Sequence, residues 1–215
     1  MKYLIYPIII CFIVFGNVSN AIANISNEIA NTKEIELRHY KKINLPYSSA
    51  ELEKYYYWGE NGLQLSPDMP FPLRFTNKEF SYKPKLLDYL AKTPFYFPHC
   101  YFYYKNILYK GVIQMAMGDN DQAVFTFQLY SYDDQGGVID AILLYKVQGG
   151  EISYWNDFII NPNGKILITQ YQQDNLIESD ENPNELIINP ENNQIDTKTV
   201  EFQMTPSGIF NSVEK

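Results

Sequence analysis

The feature that most constrains this chain is a strand and turn pattern that occupies its second half. Residues 123–132 show it most clearly, because Phe125 and Phe127 alternate with polar neighbours at the two-residue period of a half-buried strand. Asn163-Gly164 is the strongest hairpin turn signal in the chain. The segments between turns are too short for crossover helices, so successive strands must be antiparallel.

This pattern predicts a mainly β (α+β) fold. Residues 96–215 are expected to form an antiparallel meander sheet of about six to eight strands. Residues 34–95 contain more proline and glycine, and they are expected to supply loops and one or two short N-terminal helices packed on the sheet. We therefore expect residues 34–215 to form a single compact domain.

Two segments carry helix start signals. Ser48 and Glu51 have the spacing of a capping box, in which each side chain accepts from the other's backbone N–H, so a helix is predicted over residues 49–58. Pro84 suits the first turn of a helix, where its missing N–H costs nothing, and a second helix is predicted over residues 84–92.

The N-terminal residues predict export. Lys2 precedes an apolar run over residues 3–15, and polar residues then lead to a small-x-small site ending at Ala23. Because the run is shorter than the roughly 20 residues of a membrane-spanning helix, we interpret residues 1–23 as a signal peptide cleaved after Ala23. An uncleaved anchor is the alternative. Residues 24–33 would then be a flexible leader, and the protein would be periplasmic or secreted, without a stable transmembrane segment.

Charge and cysteine content narrow the choice of partner and chemistry. The formal net charge of −8 repels phosphate backbones, so nucleic acid is not expected as a partner, and a basic protein is the more natural one. Acidity is also a common means of keeping an exported domain soluble. Once the signal peptide with Cys11 is removed, Cys100 has no partner for an intramolecular disulfide, and we expect its thiol to be buried.

Catalytic and metal-binding signals are weak. Cys100 could pair with His39 or His99 as a thiol and its base, but neighbours in a strand point to opposite faces, so His99 is not expected to reach Cys100. No zinc spacing and no serine elbow occurs. The acidic turn at residues 119–121 offers oxygen ligands for calcium, although ordinary turns favour the same residues. We predict no catalytic residue, no metal and no cofactor.

Aromatic residues are the clearest compositional anomaly, with 19 tyrosines in the chain. Consecutive aromatic residues cannot all face a core, and tyrosine and tryptophan favour recognition surfaces. Strand preference for tyrosine is the alternative explanation. An acidic loop is also expected over residues 174–198, with a short strand at residues 186–188 inside it. The residues predicted to bind a partner are Tyr56, Tyr57, Trp58, Tyr103, Asp180 and Glu181.

The leading functional hypothesis is an exported, non-catalytic protein-binding module of the bacterial envelope, such as an immunity-type inhibitor of a basic partner. One alternative is an exported hydrolase acting on glycan or peptide, which would use Cys100 with a histidine or a pair of carboxylates. Another is an envelope structural or assembly protein whose free sheet edge pairs with a second copy. The sequence leaves the oligomeric state open.

Overall fold

A computed structural model describes residues 37–60, 62–76, 79, 82–87, 93–118, 122–178, 186–188 and 194–213. The predicted signal peptide with its cleavage site, the flexible leader, the acidic turn at 119–121, and Asp180 and Glu181 lie outside these residues. The strands described next belong to one compact unit, which begins at His39. Nowhere in the described ranges is there a helix with the length and apolar character needed to cross a membrane.

The described residues are dominated by β-strands, several of them nine to eleven residues long. In chain order they are β1 (Lys41–Lys42), β2 (Tyr47–Ser48), β3 (Tyr56–Gly59), β4 (Gly62–Leu65), β5 (Leu73–Arg74), β6 (Phe95–Tyr104), β7 (Ile107–Met117), β8 (Ala123–Tyr132), β9 (Val138–Gln148), β10 (Ile152–Ile160), β11 (Lys165–Asp174), β12 (Leu176–Glu178), β13 (Leu186–Ile188), β14 (Ile195–Met204) and β15 (Phe210–Ser212).

The main sheet confirms the mainly β, largely antiparallel meander. Its order is β1-β6-β7-β8-β9-β10-β11-β14-β15, with β2 beside β10 and β5 beside β6. Only the short β1–β6 pair in this sheet is parallel. The predicted number of strands is wrong, because the described sheet has eleven. The sequence pattern missed β2, which is only two residues long and too short to show a period.

The helix predicted over residues 49–58 is wrong. Two short 3-10 turns, Ser49–Glu51 and Glu53–Tyr55, lead directly into β3. The side chain of Ser48 makes no capping hydrogen bond, and its extended backbone pairs instead with Ile159 of β10. Sheet pairing has therefore taken the residue that the capping box required as a helix cap.

The second helix does not begin at Pro84. Lys85 forms a parallel bridge with Ile142 of β9, and Leu86 adopts a left-handed backbone conformation with φ of 63°. Both features are incompatible with the first turn of an α-helix. Residues 88–92 of the predicted helix lie outside the described residues.

The core lies between two parts of the same sheet. Strands β10, β11, β14 and β15 fold over one face of β6–β9, and aromatic rings meet between them. Phe127 of β8 stacks on Phe158 of β10 with ring centroids 5.6 Å apart, and Tyr109 of β7 meets Phe210 of β15 at 5.8 Å. Each fully buried ring contributes about 2–3 kcal/mol of hydrophobic stabilisation, so these contacts hold the two parts together.

The outer face of β7 and β8 is also covered, by residues of the N-terminal part. Phe75 packs on Tyr130 with ring centroids 6.2 Å apart, and the Tyr132 hydroxyl donates to Glu79 Oε1 at 2.7 Å. Strand β8 is therefore buried on both faces. This explains why its polar positions, which the alternating pattern assigned to solvent, are enclosed.

The Asn163-Gly164 signal is confirmed as a hairpin turn. The Asn161 N–H donates to the Lys165 carbonyl at 2.8 Å, and Gly164 has φ of 83°. A Cβ at Gly164 would also lie only 2.4 Å from Cζ of Tyr104, so glycine is required by both backbone conformation and close packing. The same hydrogen-bond arrangement recurs at residues 133–137 and 205–209.

The predicted acidic loop is partly strand. Strand β11 extends to Asp174, β12 pairs with β13, and β14 already begins at Ile195. The short strand predicted at residues 186–188 is confirmed as β13. The loop expected over residues 174–198 is thus interrupted by a hairpin within its described part.

Candidate functional site

Strands β3 and β4 form a hairpin, here called the aromatic hairpin, and Tyr56 anchors it to the core. The Tyr56 ring lies 4.8 Å from the Phe125 ring, and its hydroxyl is 2.7 Å from the hydroxyl of Tyr145. Tyr56 was predicted to bind a partner, but it is half-buried and its polar group is already paired. Its position therefore suits an anchor for the two residues that follow it.

Tyr57 and Trp58 form the exposed part of the aromatic hairpin, with 46% and 56% of their surfaces accessible. The Tyr57 hydroxyl donates to Gln64 Oε1 of β4 at 2.8 Å. The Trp58 indole lies against Gly149, where an added Cβ would come within 2.6 Å of the ring. Both side chains are thus oriented by contacts within the fold while their rings remain open to solvent.

Tyr103 lies far from the aromatic hairpin. It is 53% exposed and pairs with Leu108, which in turn pairs with Tyr132 at the end of β8. Trp58 instead packs beside the end of β9, level with Val124 at the start of β8. Val124 and Tyr132 are eight residues apart along β8, which corresponds to about 27 Å at the rise of a β-strand. The structure therefore brings three of the predicted residues together and places Tyr103 elsewhere.

The segment around Cys100 departs from a regular strand. A register shift between Pro98 and Cys100 places the side chains of both His99 and Cys100 on the core side of β6. The His99 ring lies 5.4 Å from the Phe127 ring, and a Cβ on Gly111 would be 2.8 Å from Cys100 Sγ and 2.4 Å from Phe127 Cζ. Our expectation that the two neighbours point to opposite faces is wrong, because the bulge breaks the alternation.

The environment of this pair is unsuited to nucleophilic catalysis. Cys100 is 1% exposed, and burial raises the pKa of its thiol. Burial, with smaller contributions from Lys54 and Lys41, lowers the pKa of His99 to about 4. Nε2 of His99 is also engaged, 2.5 Å from the Tyr47 hydroxyl. A thiol enclosed in the core, beside an imidazole whose Nε2 is already engaged, is poorly placed to form the thiolate that attacks a substrate.

A polar cleft opens where β9 and β10 separate, and the sequence did not predict it. The two strands pair only through Tyr154 and Trp155 of β10, after which β10 leaves the β9 edge. The resulting cleft has a volume of about 680 Å³. Leu86, Leu87 and Leu143 form part of its wall, because the Lys85 bridge brings this segment alongside β9. We call this space the β9–β10 cleft.

One face of the cleft is a regular array of polar side chains. The inner face of β10, β11 and β14 is apolar where it meets the core, and it becomes polar where it lines the cleft. Residues directly opposite each other across antiparallel strands have Cβ atoms about 5 Å apart, and same-face residues repeat at about 7 Å along a strand. The two rows are Asn156, Gln170 and Lys198, and Tyr154, Gln172 and Asp196.

The carboxamides of the cleft lack partners among the residues that the structure describes. Asn156 is only 4% exposed, yet its side chain makes no hydrogen bond with any described residue. Gln170 opposite it and Gln148 on the β9 side are half-buried, and their side chains also make no hydrogen bond with a described residue. None of these amides is a fully enclosed atom without a partner, so their polar atoms reach the open space of the cleft. Amides in such a position can bind water or a ligand.

Charge in the cleft is balanced. Lys146 and Lys198 line it together with Glu151 and Asp196, in contrast to the net negative charge of the whole chain. The Lys146 ammonium also lies 4.8 Å from the centre of the Tyr154 ring. Within the described ranges, no group of three or more histidine, cysteine or acidic residues is arranged to hold a metal ion.

The signal that could have revealed the cleft was present in three strands. Along the inner face of β11, Ile166 and Ile168 are followed by Gln170 and Gln172, so one strand changes from apolar to polar at constant phase. A change of this kind indicates that the strand runs out of the core into a solvent-filled space.

Comparison with known proteins adds no relative. The chain matches no protein-family model, no curated protein and no solved structure. The function must therefore be argued from the residues and their geometry.

Proposed function

We propose that this protein is a non-catalytic protein-binding module of the bacterial envelope, and that it holds its partner against the aromatic hairpin. The observation that carries the proposal is that Tyr57 and Trp58 are exposed and yet held in position. The Tyr57 hydroxyl is hydrogen-bonded to Gln64, and the Trp58 ring packs on Gly149. Rigid aromatic side chains give large contact area, and little entropy is lost when they bind. Tryptophan and tyrosine are also enriched among the residues that dominate binding energy.

The charge around the aromatic hairpin supports a basic partner. Three exposed carboxylates and one exposed lysine lie next to β3 (Glu51, Glu53, Glu60 and Lys54), and the whole chain carries a formal net charge of −8. Negative charge around an aromatic contact would attract a basic protein during encounter and repel an acidic one. An immunity-type inhibitor, which neutralises a basic toxin by binding it, is one protein of this kind.

The absence of catalysis in the proposal rests on Cys100 and His99. These residues were the strongest candidates for the alternative hydrolase, but Cys100 is buried and Nε2 of the half-buried His99 already contacts the Tyr47 hydroxyl. The envelope location rests on the N-terminal sequence, in which Lys2, an apolar run and Ala23 follow the order of a secretory signal.

The proposal is tested by site-specific photo-crosslinking in intact bacterial cells that export the full chain. A photoreactive amino acid replaces Tyr57, and in a matched control it replaces Phe71, which is 80% exposed outside the hairpin. We expect one discrete crosslinked protein of basic charge from position 57 and none from position 71. Trp58→Ala should abolish that product while the variant keeps a cooperative thermal unfolding transition, because Trp58 lies at the surface with 56% of its surface area exposed.

Two results would contradict the proposal. One is the absence of a discrete product from position 57 in the envelope fraction. The other is recovery of the same product from position 71, which would show that the crosslinker samples any nearby protein rather than one held by the aromatic hairpin.

A further inference from the structure

We infer that the β9–β10 cleft is a binding site for a short, uncharged oligosaccharide. This site is separate from the aromatic hairpin and does not depend on the proposed protein partner. The two regions approach each other at Gly149, which lines the cleft and also contacts Trp58. The experiments below therefore distinguish the two.

The cleft amides without hydrogen-bond partners are the first reason to expect a ligand. Asn156 is almost completely buried, faces the cleft and makes no side-chain hydrogen bond within the described residues, and Gln170 beside it is equally unpaired. The polar atoms of these amides are open to the cleft rather than enclosed, since the Tyr109 hydroxyl is the one fully buried side-chain atom without a partner among the described residues. Amides that the sheet holds in place without protein partners can give their hydrogen bonds to a ligand that displaces water from the cleft.

The second argument is the chemistry of the groups that the cleft presents. A sugar hydroxyl both donates and accepts hydrogen bonds, and a carboxamide does the same through its NH₂ and its carbonyl oxygen. Asn156, Gln170 and Gln172 offer such pairs at spacings of about 5 Å and about 7 Å, set by the sheet. Leu143 and the neighbouring Leu86 provide an apolar wall for the C–H face of a sugar ring.

The balanced charge and the volume of the cleft favour a short, neutral sugar. Two lysines and two acidic residues balance one another in the cleft, which disfavours phosphates, nucleotides and uronic acids. An extended peptide is captured most often by the free backbone of a sheet edge, whereas this cleft presents the side chains of a sheet face. Its volume of about 680 Å³ lies within the roughly 300–1,000 Å³ typical of small-ligand sites, and a di- or trisaccharide has a suitable size.

The inference is tested by isothermal titration of the full chain with three neutral trisaccharides, maltotriose, cellotriose and chitotriose. Saturation-transfer NMR is recorded in parallel. Trigalacturonic acid serves as the charged analogue, and a neutral Ser-Gly hexapeptide represents an extended peptide. We expect at least one neutral trisaccharide to bind, with no detectable binding of the acidic sugar or the peptide.

Variants then locate the bound sugar. Gln170→Ala and Asn156→Leu each remove hydrogen bonds to it, and each should weaken binding by about tenfold or more. Gln173→Ala is the matched control, because Gln173 lies on the same strand with its side chain on the opposite face. It should leave the affinity unchanged.

Several outcomes would overturn the inference. These are no binding of any neutral trisaccharide, binding that both cleft variants leave unchanged, preferred binding of the peptide or the acidic sugar, and shortening of the trisaccharide during incubation. Gln170→Ala should leave crosslinking from position 57 intact, so failure of the saccharide site and failure of the protein-binding proposal produce different results.

Discussion

Two rows of amides in this protein are built from the same residue types, and one is closed by protein hydrogen bonds while the other is open to a cleft. The first set, the closed row, lies on the outer face of β7 and β8. Gln128 Nε2 donates to Gln114 Oε1 at 3.0 Å, the Tyr130 hydroxyl donates to Gln128 Oε1 at 2.9 Å, and Gln114 Nε2 donates to the Thr93 carbonyl at 3.2 Å. Every member has a protein partner.

The second set is the amide row of the β9–β10 cleft. Asn156 is nearly as buried as Gln128, with 4% against 1% of its surface exposed, but it makes no side-chain hydrogen bond with the described residues. The closed row is covered by the N-terminal part of the chain, whereas the cleft row faces open space. The difference teaches that a closed polar row specifies the fold and an open one is held ready for a ligand.

The largest expected effect concerns alkaline pH, because the closed row ends in a tyrosine. Burial raises the pKa of Tyr130, and it also raises the pKa of Tyr132 and other core tyrosines. Above about pH 10 the unfolded chain releases tyrosine protons that the native state retains, so each such tyrosine lowers the free energy of unfolding by about 1.4 kcal/mol per pH unit. Stability is therefore complete below pH 10 and is lost as the pH rises.

Urea unfolding measured between pH 8 and pH 11.5, with tyrosinate absorbance recorded in the native baseline, checks this expectation. Tyr130→Phe should lower the number of protons released on unfolding by about one, because the variant no longer has that hydroxyl to titrate. A free energy of unfolding that stays constant up to pH 11.5 would show that the core tyrosines titrate normally in the folded state.

The next effect in size is the loss of the closed row's central amide. Gln128→Leu keeps the side-chain size but leaves the Tyr130 hydroxyl and Gln114 Oε1 without a partner in a buried position, while Gln114 Nε2 keeps its bond to the Thr93 carbonyl. Each unsatisfied group costs about 1–3 kcal/mol, so we expect destabilisation of about 3 kcal/mol. Urea unfolding at neutral pH measures it. A change below about 0.5 kcal/mol would mean that water or a rearrangement satisfies both groups.

Sequence periodicity predicted the sheet but could not distinguish the two amide rows. Gln128 and Gln170 occupy equivalent polar positions in alternating strands, and local pattern assigns both to solvent. Which one is enclosed depends on a distant segment, since Phe75 and Thr93 cover β8 while β10 leaves the edge of β9. Contacts between residues so far apart leave no period in the sequence.

The candidate site shows the same limit. The Tyr56–Trp58 cluster was found from composition, because three adjacent aromatic residues cannot all be buried by one strand. Its hairpin, the core position of Tyr56 and the separation of Tyr103 depend on pairing with β4 and on strand length. The bulge at His99 was equally hidden, because one inserted residue reverses the faces that simple alternation assigns.

The smallest expected effect on stability is that of Asn156→Leu, the cleft counterpart of Gln128→Leu. Asn156 has no side-chain hydrogen bond to lose within the described residues, and its neighbours across and along the sheet include apolar Phe158. Replacing this amide with leucine loses no hydrogen bond within the described residues, and the amide is open to the cleft, so the free energy of unfolding should change by no more than about 0.5 kcal/mol. Urea unfolding of both leucine variants, measured side by side, gives the comparison directly.

If Asn156→Leu destabilised the protein as strongly as Gln128→Leu, the cleft amide would be structural, and the contrast between an open and a closed row would fail. If stability is kept while saccharide binding is lost, the amide serves the ligand rather than the fold.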